Sequence, residues 1–238
     1  MPVLEGATLE VGEGEFVSLV GPSGSGKSSL LRAVIGLQAP LAGTVDTEVA
    51  PSELGILFQD DALLPWRTAR DNVALGLRFH GMEPKAALTE ADAWLARLGL
   101  AGLEHRFPRH LSGGQRKRVA LAQVLALKPR LLLMDEPFAS LDAIVRARII
   151  QDVVALVERE RISVLLVTHD LEEALALSDE VYLLSQGPRA HITRSYPVPI
   201  PRPRDVVQSR LHPAFAALYE QLWNDLSREV SREAAEAA

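Results

Sequence analysis

The chain contains no cysteine, so neither a disulfide nor a thiolate metal site contributes to its fold or chemistry. No stretch reaches the roughly 18 consecutive apolar residues that a membrane-spanning helix needs. The opening MPVLEGATLEVGEGEF has neither a basic start nor an apolar signal core, and the expected location is cytoplasmic. Surplus positive charge is lacking too: 25 Lys and Arg stand against 31 Asp and Glu, a net charge of −6. That argues against nucleic-acid binding through bulk charge. The histidines, His80, His105, His110, His169, His191 and His212, show no metal-ligand spacing, and most read as surface or loop residues. What is present is ordinary globular material, 47% hydrophobic and 24% charged over 238 residues, enough for one large domain or a domain with a sizeable insertion.

Apolar runs bounded by turn residues recur at 16–21 (FVSLVG), 54–59 (LGILFQ), 131–136 (LLLMDE), 164–169 (VLLVTH) and 181–186 (VYLLSQ). Such runs read as strands buried on both faces. Helical patterns lie between them at 28–37, 113–127, 144–161 and 170–180. Strands alternating with helices predict a mostly parallel, doubly wound α/β sheet. From about 63 to 120 the pattern differs: ARDNVALGLRF and EADAWLARLGL read as amphipathic helices without an apolar strand between them, which marks a helical insertion. YPVPIPRPRD at 196–205 is too rich in proline for a helix or a central strand. The domain boundary is accordingly placed at 205, with a helical tail over 206–238 that fades into charge and alanine.

GPSGSGKS at 21–28 matches the phosphate-loop pattern G-x-x-x-x-G-K-[ST], and it lies between a predicted strand and a predicted helix. Gly24 and Gly26 let the backbone curl so that successive N–H groups point at an anion, and the following helix adds its positive end. Lys27 is placed to reach terminal phosphates, and the Ser28 hydroxyl to hold Mg²⁺. Asp135 ends an apolar run and is the candidate to anchor the metal through water, while Glu136 is the candidate to orient or deprotonate an attacking water. Gln59 and His169 end two further runs, where open α/β sheets place ligand sites. Gln59 is read as facing the metal or the water, and His169 as a donor to the terminal phosphate.

A second glycine pair, in LSGGQRKR at 111–118, also opens a predicted helix. It reads either as a capped turn leading into a core helix or as a second phosphate-binding helix start. The RKR at 116–118 reads as the polar face of that helix.

GPSGSGKS, Gln59, LSGGQ, LLLMDEP, SLD at 140–142 and His169 occur in the order seen in the ATP-binding subunits of ABC transporters, and the resemblance covers residues 1–205. It implies a P-loop NTPase (RecA-like) α/β core with an inserted helical subdomain, and two such subunits closing around two ATP molecules. By that resemblance Gly21, Pro22, Ser23, Gly24, Ser25, Gly26, Lys27, Ser28 and Ser29 form the nucleotide's phosphate site. Ser28, Gln59 and Asp135 hold Mg²⁺, and Lys27, Gln59, Glu136 and His169 carry hydrolysis. Gln59 is the Q-loop glutamine, Asp135 the Walker B aspartate and His169 the switch histidine, and Asp142 belongs to the D-loop. Ser112, Gly113, Gly114 and Gln115 bind the γ-phosphate in trans, so the phosphate loop is paired with the LSGGQ of a second copy.

LLPWRTARDNVALGL at 63–77 and PIPRPRD at 199–205 resemble the importer branch that serves nitrate, sulfonates and taurine. That likeness implies integral membrane permease subunits, an external or periplasmic substrate-binding protein, no nucleic acid, and a peripheral place on the cytoplasmic face of the inner membrane. Trp66 is then either a buried anchor of the helical subdomain or part of the permease contact. In the family an adenine-stacking aromatic residue precedes the phosphate loop, whereas here none precedes Phe16; either the chain start is placed too late, which is the favoured expectation, or contact with the nucleotide base is weak or made by other residues. The rival readings are a soluble ABC ATPase acting on nucleic acid or ribosomes, and an inactive structural subunit.

Overall fold

The computed structural model describes residues 2–139 and 141–236. In chain order its elements are β1 (Phe16–Val20), α1 (Lys27–Val34), β2 (Leu54–Leu57), α2 (Ala69–Phe79), α3 (Pro84–Arg97), α4 (Gly113–Leu125), β3 (Leu131–Asp135), α5 (Ala143–Glu160), β4 (Ser163–Val167), α6 (Leu171–Leu177), β5 (Glu180–Leu184), β6 (Ile192–Pro197), α7 (Val206–Leu211) and α8 (Pro213–Glu236). The chain divides into two compact units, Met1–Glu48 with Val154–Ala238, and Val49–Val153.

In the first unit the strands run in the order β4-β1-β5-β6. β1 is parallel to both neighbours, with Leu19 opposite Val167 on one side and Tyr182 on the other. All five residues of β1 and all five of β4 are buried, as their apolar sequences require of strands covered on both faces. β6 pairs antiparallel with β5, and only its Tyr196 is buried. That pattern belongs to an edge strand, where Pro197 can end the ladder. The Tyr196 hydroxyl donates to Asp225 of α8 at 2.7 Å, fastening the C-terminal helix to this edge.

The proline-rich strap after β6 is held by ions. The Asp179 carboxylate, just before β5, accepts from the Phe16 amide at 2.8 Å and pairs with Arg204 at 2.9 Å and with Arg202. Arg204 is 4% exposed, and its guanidinium also donates to the carbonyls of Leu177 and Ile200. Burial raises the Asp179 pKa, but the Phe16 amide and the two guanidiniums outweigh it and hold the carboxyl below its ordinary range. The two arginines of PIPRPRD therefore have a structural reason: they close a segment that cannot join the sheet onto the start of β1 and β5.

In the second unit β2 and β3 are parallel, with Leu57 opposite Met134. Helices α2, α3 and α4 pack with buried faces that include Val73, Leu77, Trp94, Leu95, Leu121 and Leu125. Thr68 caps α2, exchanging hydrogen bonds with Asp71. The buried Asn72 accepts from Leu64 N and donates to the carbonyls of Leu64, Arg67 and Thr68, which fixes the turn carrying Trp66. Trp66 itself is 71% exposed, so it is not a buried anchor. Among the described residues no helix is long and apolar enough to cross a membrane.

Candidate functional site

β1 delivers the chain into the phosphate loop at Gly21, where a Cβ would lie 2.8 Å from the Leu184 carbonyl oxygen. Only glycine fits there. Gly24 and Gly26 have φ of +80° and +98°, the left-handed conformation that turns successive amides to one side. Gly26 is the N-cap of α1 and supplies no side-chain cap, so the helix start is not closed by its own side chain. On the other side of Gly26, Val3 and Leu4 press close, with Val3 Cγ1 2.6 Å from where a Cβ would stand. Lys27 is 7% exposed and donates to the carbonyls of Gly21 at 2.8 Å and Pro22 at 2.7 Å, which suspends its ammonium over the loop. The Ser25 hydroxyl is buried without a hydrogen-bond partner. Left-handed glycines, an open helix start, a held ammonium and an orphan hydroxyl fit a phosphate group.

The next strand brings one more predicted residue to the same end. Thr168 donates its amide to Leu19 O at 3.3 Å, so the exit of β4 is level with that of β1. His169 follows, exposed, and Asp170 after it caps α6 by accepting from the Glu173 amide at 3.0 Å. Within this unit the structure therefore places Gly21–Ser29 and His169 at the C-terminal ends of adjacent parallel strands.

The second unit gathers another group at strand ends. Because Leu57 pairs with Met134, Gln59 and the Asp135–Glu136 pair leave neighbouring strands side by side. Glu136 is half-buried and has φ of +44°, a left-handed conformation that costs a non-glycine residue on the order of 1–3 kcal/mol and concentrates at working sites. Asp142 accepts from the Val145 amide at 3.0 Å and begins α5; Ser140 of the SLD stretch lies outside the described residues.

Ser112 is the N-cap of α4, and its cap is reciprocal: Ser112 Oγ accepts from Gln115 N at 3.3 Å, while Gln115 Oε1 accepts from Ser112 N at 2.9 Å. The Ser112 hydroxyl keeps its own proton for a further acceptor, and both Ser112 and Gly113 are exposed. The two glycines differ. A Cβ on Gly113 would meet nothing nearer than Arg116 at 3.8 Å, whereas one on Gly114 would come 2.6 Å from Val145 Cγ1. Ser112–Gln115 lie in the second unit and the phosphate loop in the first.

The RKR run corrects the sequence reading. It is not a polar face: Lys117 is fully buried, and its neighbours are engaged as well. Arg116 donates to Leu111 O at 2.8 Å, and Arg118 donates to Leu98 O at 2.9 Å and pairs with Asp152. Residue type alone could not reveal this, since the carbonyl that takes Lys117 at 3.0 Å belongs to a residue 58 positions away.

Residues 4–139 match the family described as ABC transporter. The chain belongs to that family. Relatives of this ABC protein include the aliphatic sulfonates import ATP-binding protein SsuB 2 of Rhodococcus jostii, 46% identical over 210 residues, 88% of this chain and 82% of that one. The taurine import ATP-binding protein TauB of Yersinia pestis is 41% identical over 198 residues, 81% of this chain and 78% of that one. Among solved structures, the dimeric post-hydrolysis state of the ATP-binding cassette MJ0796 bound to ADP and Pi superimposes with a TM-score of 0.72 at 32% identity, covering 82% of this chain and 90% of that one. The fold implied by the motif order, an ABC ATPase fold with a P-loop α/β core, is therefore the fold of this ABC chain.

Proposed function

We propose that this ABC protein is the ATP-hydrolysing subunit of an importer for sulfonates, taurine or a chemically similar small anion. The observation that carries the reading is the phosphate loop, in which Lys27 bridges the Gly21 and Pro22 carbonyls beside two left-handed glycines. The relatives named as sulfonate and taurine import subunits support the substrate class. They favour transport over work on nucleic acid or ribosomes.

The residues divide the work. Backbone amides of Gly24–Ser29 and the Lys27 ammonium orient the β- and γ-phosphates, and the orphan Ser25 hydroxyl is a further donor. Glu136 accepts the proton of the attacking water, Gln59 orients that water, and His169 donates to the γ-phosphate. Ser28, Gln59 and Asp135 are the residues that would hold Mg²⁺, which would supply charge neutralisation on the phosphate oxygens. The Ser112 hydroxyl and the amides of Gly113 and Gly114, with Gln115, serve the nucleotide of a second copy, so the working form is a homodimer. Permease subunits receive the segment around the exposed Trp66, and a substrate-binding protein completes the system on the far side of the inner membrane.

Steady-state hydrolysis by the purified protein tests this. The wild type should turn over ATP, and Glu136→Gln should retain nucleotide binding while losing about a thousandfold or more in kcat. Equal turnover by the two proteins removes Glu136 from its role.

A further inference from the structure

Lys117 has no exposed surface, and its ammonium has three protons to place. They go to Phe58 O at 3.3 Å, Gln59 O at 3.0 Å and Asp61 Oδ1 at 3.1 Å. Every acceptor belongs to one segment, the chain leaving β2. The other carboxylate oxygen of Asp61 takes Arg116 Nε at 3.4 Å, and Arg116 Nη1 donates to Leu111 O, the residue before the Ser112 cap. Two successive side chains of α4 thus hold the backbone of Phe58 and Gln59 and the Asp61 carboxylate and, through Leu111, the approach to their own helix.

A buried charge is a poor way to gain stability, because an apolar side chain of similar length fills the volume without desolvation. What a charge with three donors does better is define position. The bond to Gln59 is made at its main-chain carbonyl, and the Gln59 side chain stays exposed. Backbone placement of Gln59 is thereby coupled to the helix that starts at Ser112.

We propose that Lys117 is a positioning residue for ATP hydrolysis, locking the main chain of Gln59 to the N-terminus of α4 so that Gln59 and Ser112–Gln115 move as one piece. The proposal rests on the reading that these residues meet nucleotide. A shift of Gln59 towards its ligand then carries Ser112 with it, through a contiguous set of hydrogen bonds within one unit.

The test uses the full chain with Lys117→Met, which keeps length and loses the donors, and Lys117→Arg, which restores them. Lys117→Met should bind a fluorescent ATP analogue within about twofold of wild type and keep KM within about threefold, while kcat falls about tenfold or more. Lys117→Arg should recover most of kcat. Hydrogen exchange with a non-hydrolysable ATP analogue supplies the readout that a merely structural role leaves unmoved. In wild type, protection should appear together over 58–61 and 111–116; in Lys117→Met it should persist at the first segment and be lost at the second. Should Lys117→Met fail to fold, Asp61→Asn, at the half-buried partner, should show the same separation of the two segments with a smaller loss of kcat. A folded variant with wild-type kcat, or one whose two segments still gain protection together, overturns the proposal. An inactive wild type overturns the underlying reading and this proposal with it, whereas active wild type beside equally active Lys117→Met overturns this proposal alone.

Discussion

Val145 on α5 stands where a side chain on Gly114 would have to go: a Cβ there would lie 2.6 Å from Val145 Cγ1. Within the first turn of α4, the backbone and α5 are packed against each other with no allowance for a methyl group. Gly114→Ala should therefore destabilise the protein by about 1–3 kcal/mol, the usual penalty for overpacking. Gly113→Ala makes the same chemical change with no atom nearer than 3.8 Å and should be neutral or slightly stabilising. Urea unfolding of the pair checks this; equal midpoints sink the packing account. Loss of activity on changing Gly114 would then mix packing with phosphate contact, so Ser112 is the cleaner probe of the contact.

Glu136 offers the converse case, a residue strained for its position. Glu136→Gly removes both the carboxylate and the penalty of φ at +44°, while adding freedom to the unfolded chain. The expected net effect is a gain of about 1 kcal/mol in unfolding free energy together with loss of hydrolysis. Glu136→Gln, which keeps the strain, should lose hydrolysis without that gain. If both variants melt at the wild-type temperature, the strain is not a real feature of the folded state.

The ion cluster on the proline-rich strap predicts a pH dependence. Because the Asp179 carboxyl is held below its ordinary value, its contribution is complete above the unfolded pKa of about 4 and is lost as pH falls through the lowered folded value. Asp179→Asn removes the carboxylate paired with the 4%-exposed Arg204 and should cost on the order of 2 kcal/mol near neutrality, the buried-pair figure discounted for the partial exposure of Asp179. Denaturant midpoints for both proteins from pH 7 to 2.5 should differ by a constant amount down to about pH 5 and converge below about 4. A gap that stays constant through the acid range excludes Asp179 as its source.

These contacts mark how far the sequence could be read. Strands β1 to β5 were legible because each is a short, mostly apolar run bounded by turn residues, and α2 was legible because its apolar residues recur on one helical face. The phosphate loop was legible because its glycines and lysine act locally. β6 was not, since an edge strand with one buried residue and a closing proline has neither alternation nor an apolar run. Lys117 and the Arg202–Arg204 pair were not legible either. Their partners lie far away in the chain, and a basic residue in a helix or a proline-rich strap reads as solvated unless those partners are known.

Trp66 separates folding from coupling. Its turn is fixed from beneath by the four hydrogen bonds of Asn72, and the indole itself is 71% exposed, so Trp66→Ala removes little buried surface. Stability should stay within about 0.5 kcal/mol of wild type, and ATP hydrolysis by the isolated protein should be unchanged. Transport is expected to respond differently, because an exposed tryptophan held in a fixed turn is the kind of residue that carries interface energy. Reconstituted with its permease, Trp66→Ala should lose stimulation of hydrolysis by the membrane subunits and most of the substrate uptake. Asn72→Ala should lose both stability and coupling, since it releases the turn. Full uptake by Trp66→Ala would move the permease contact elsewhere on the second unit, to the neighbourhood of Phe79, which is 81% exposed.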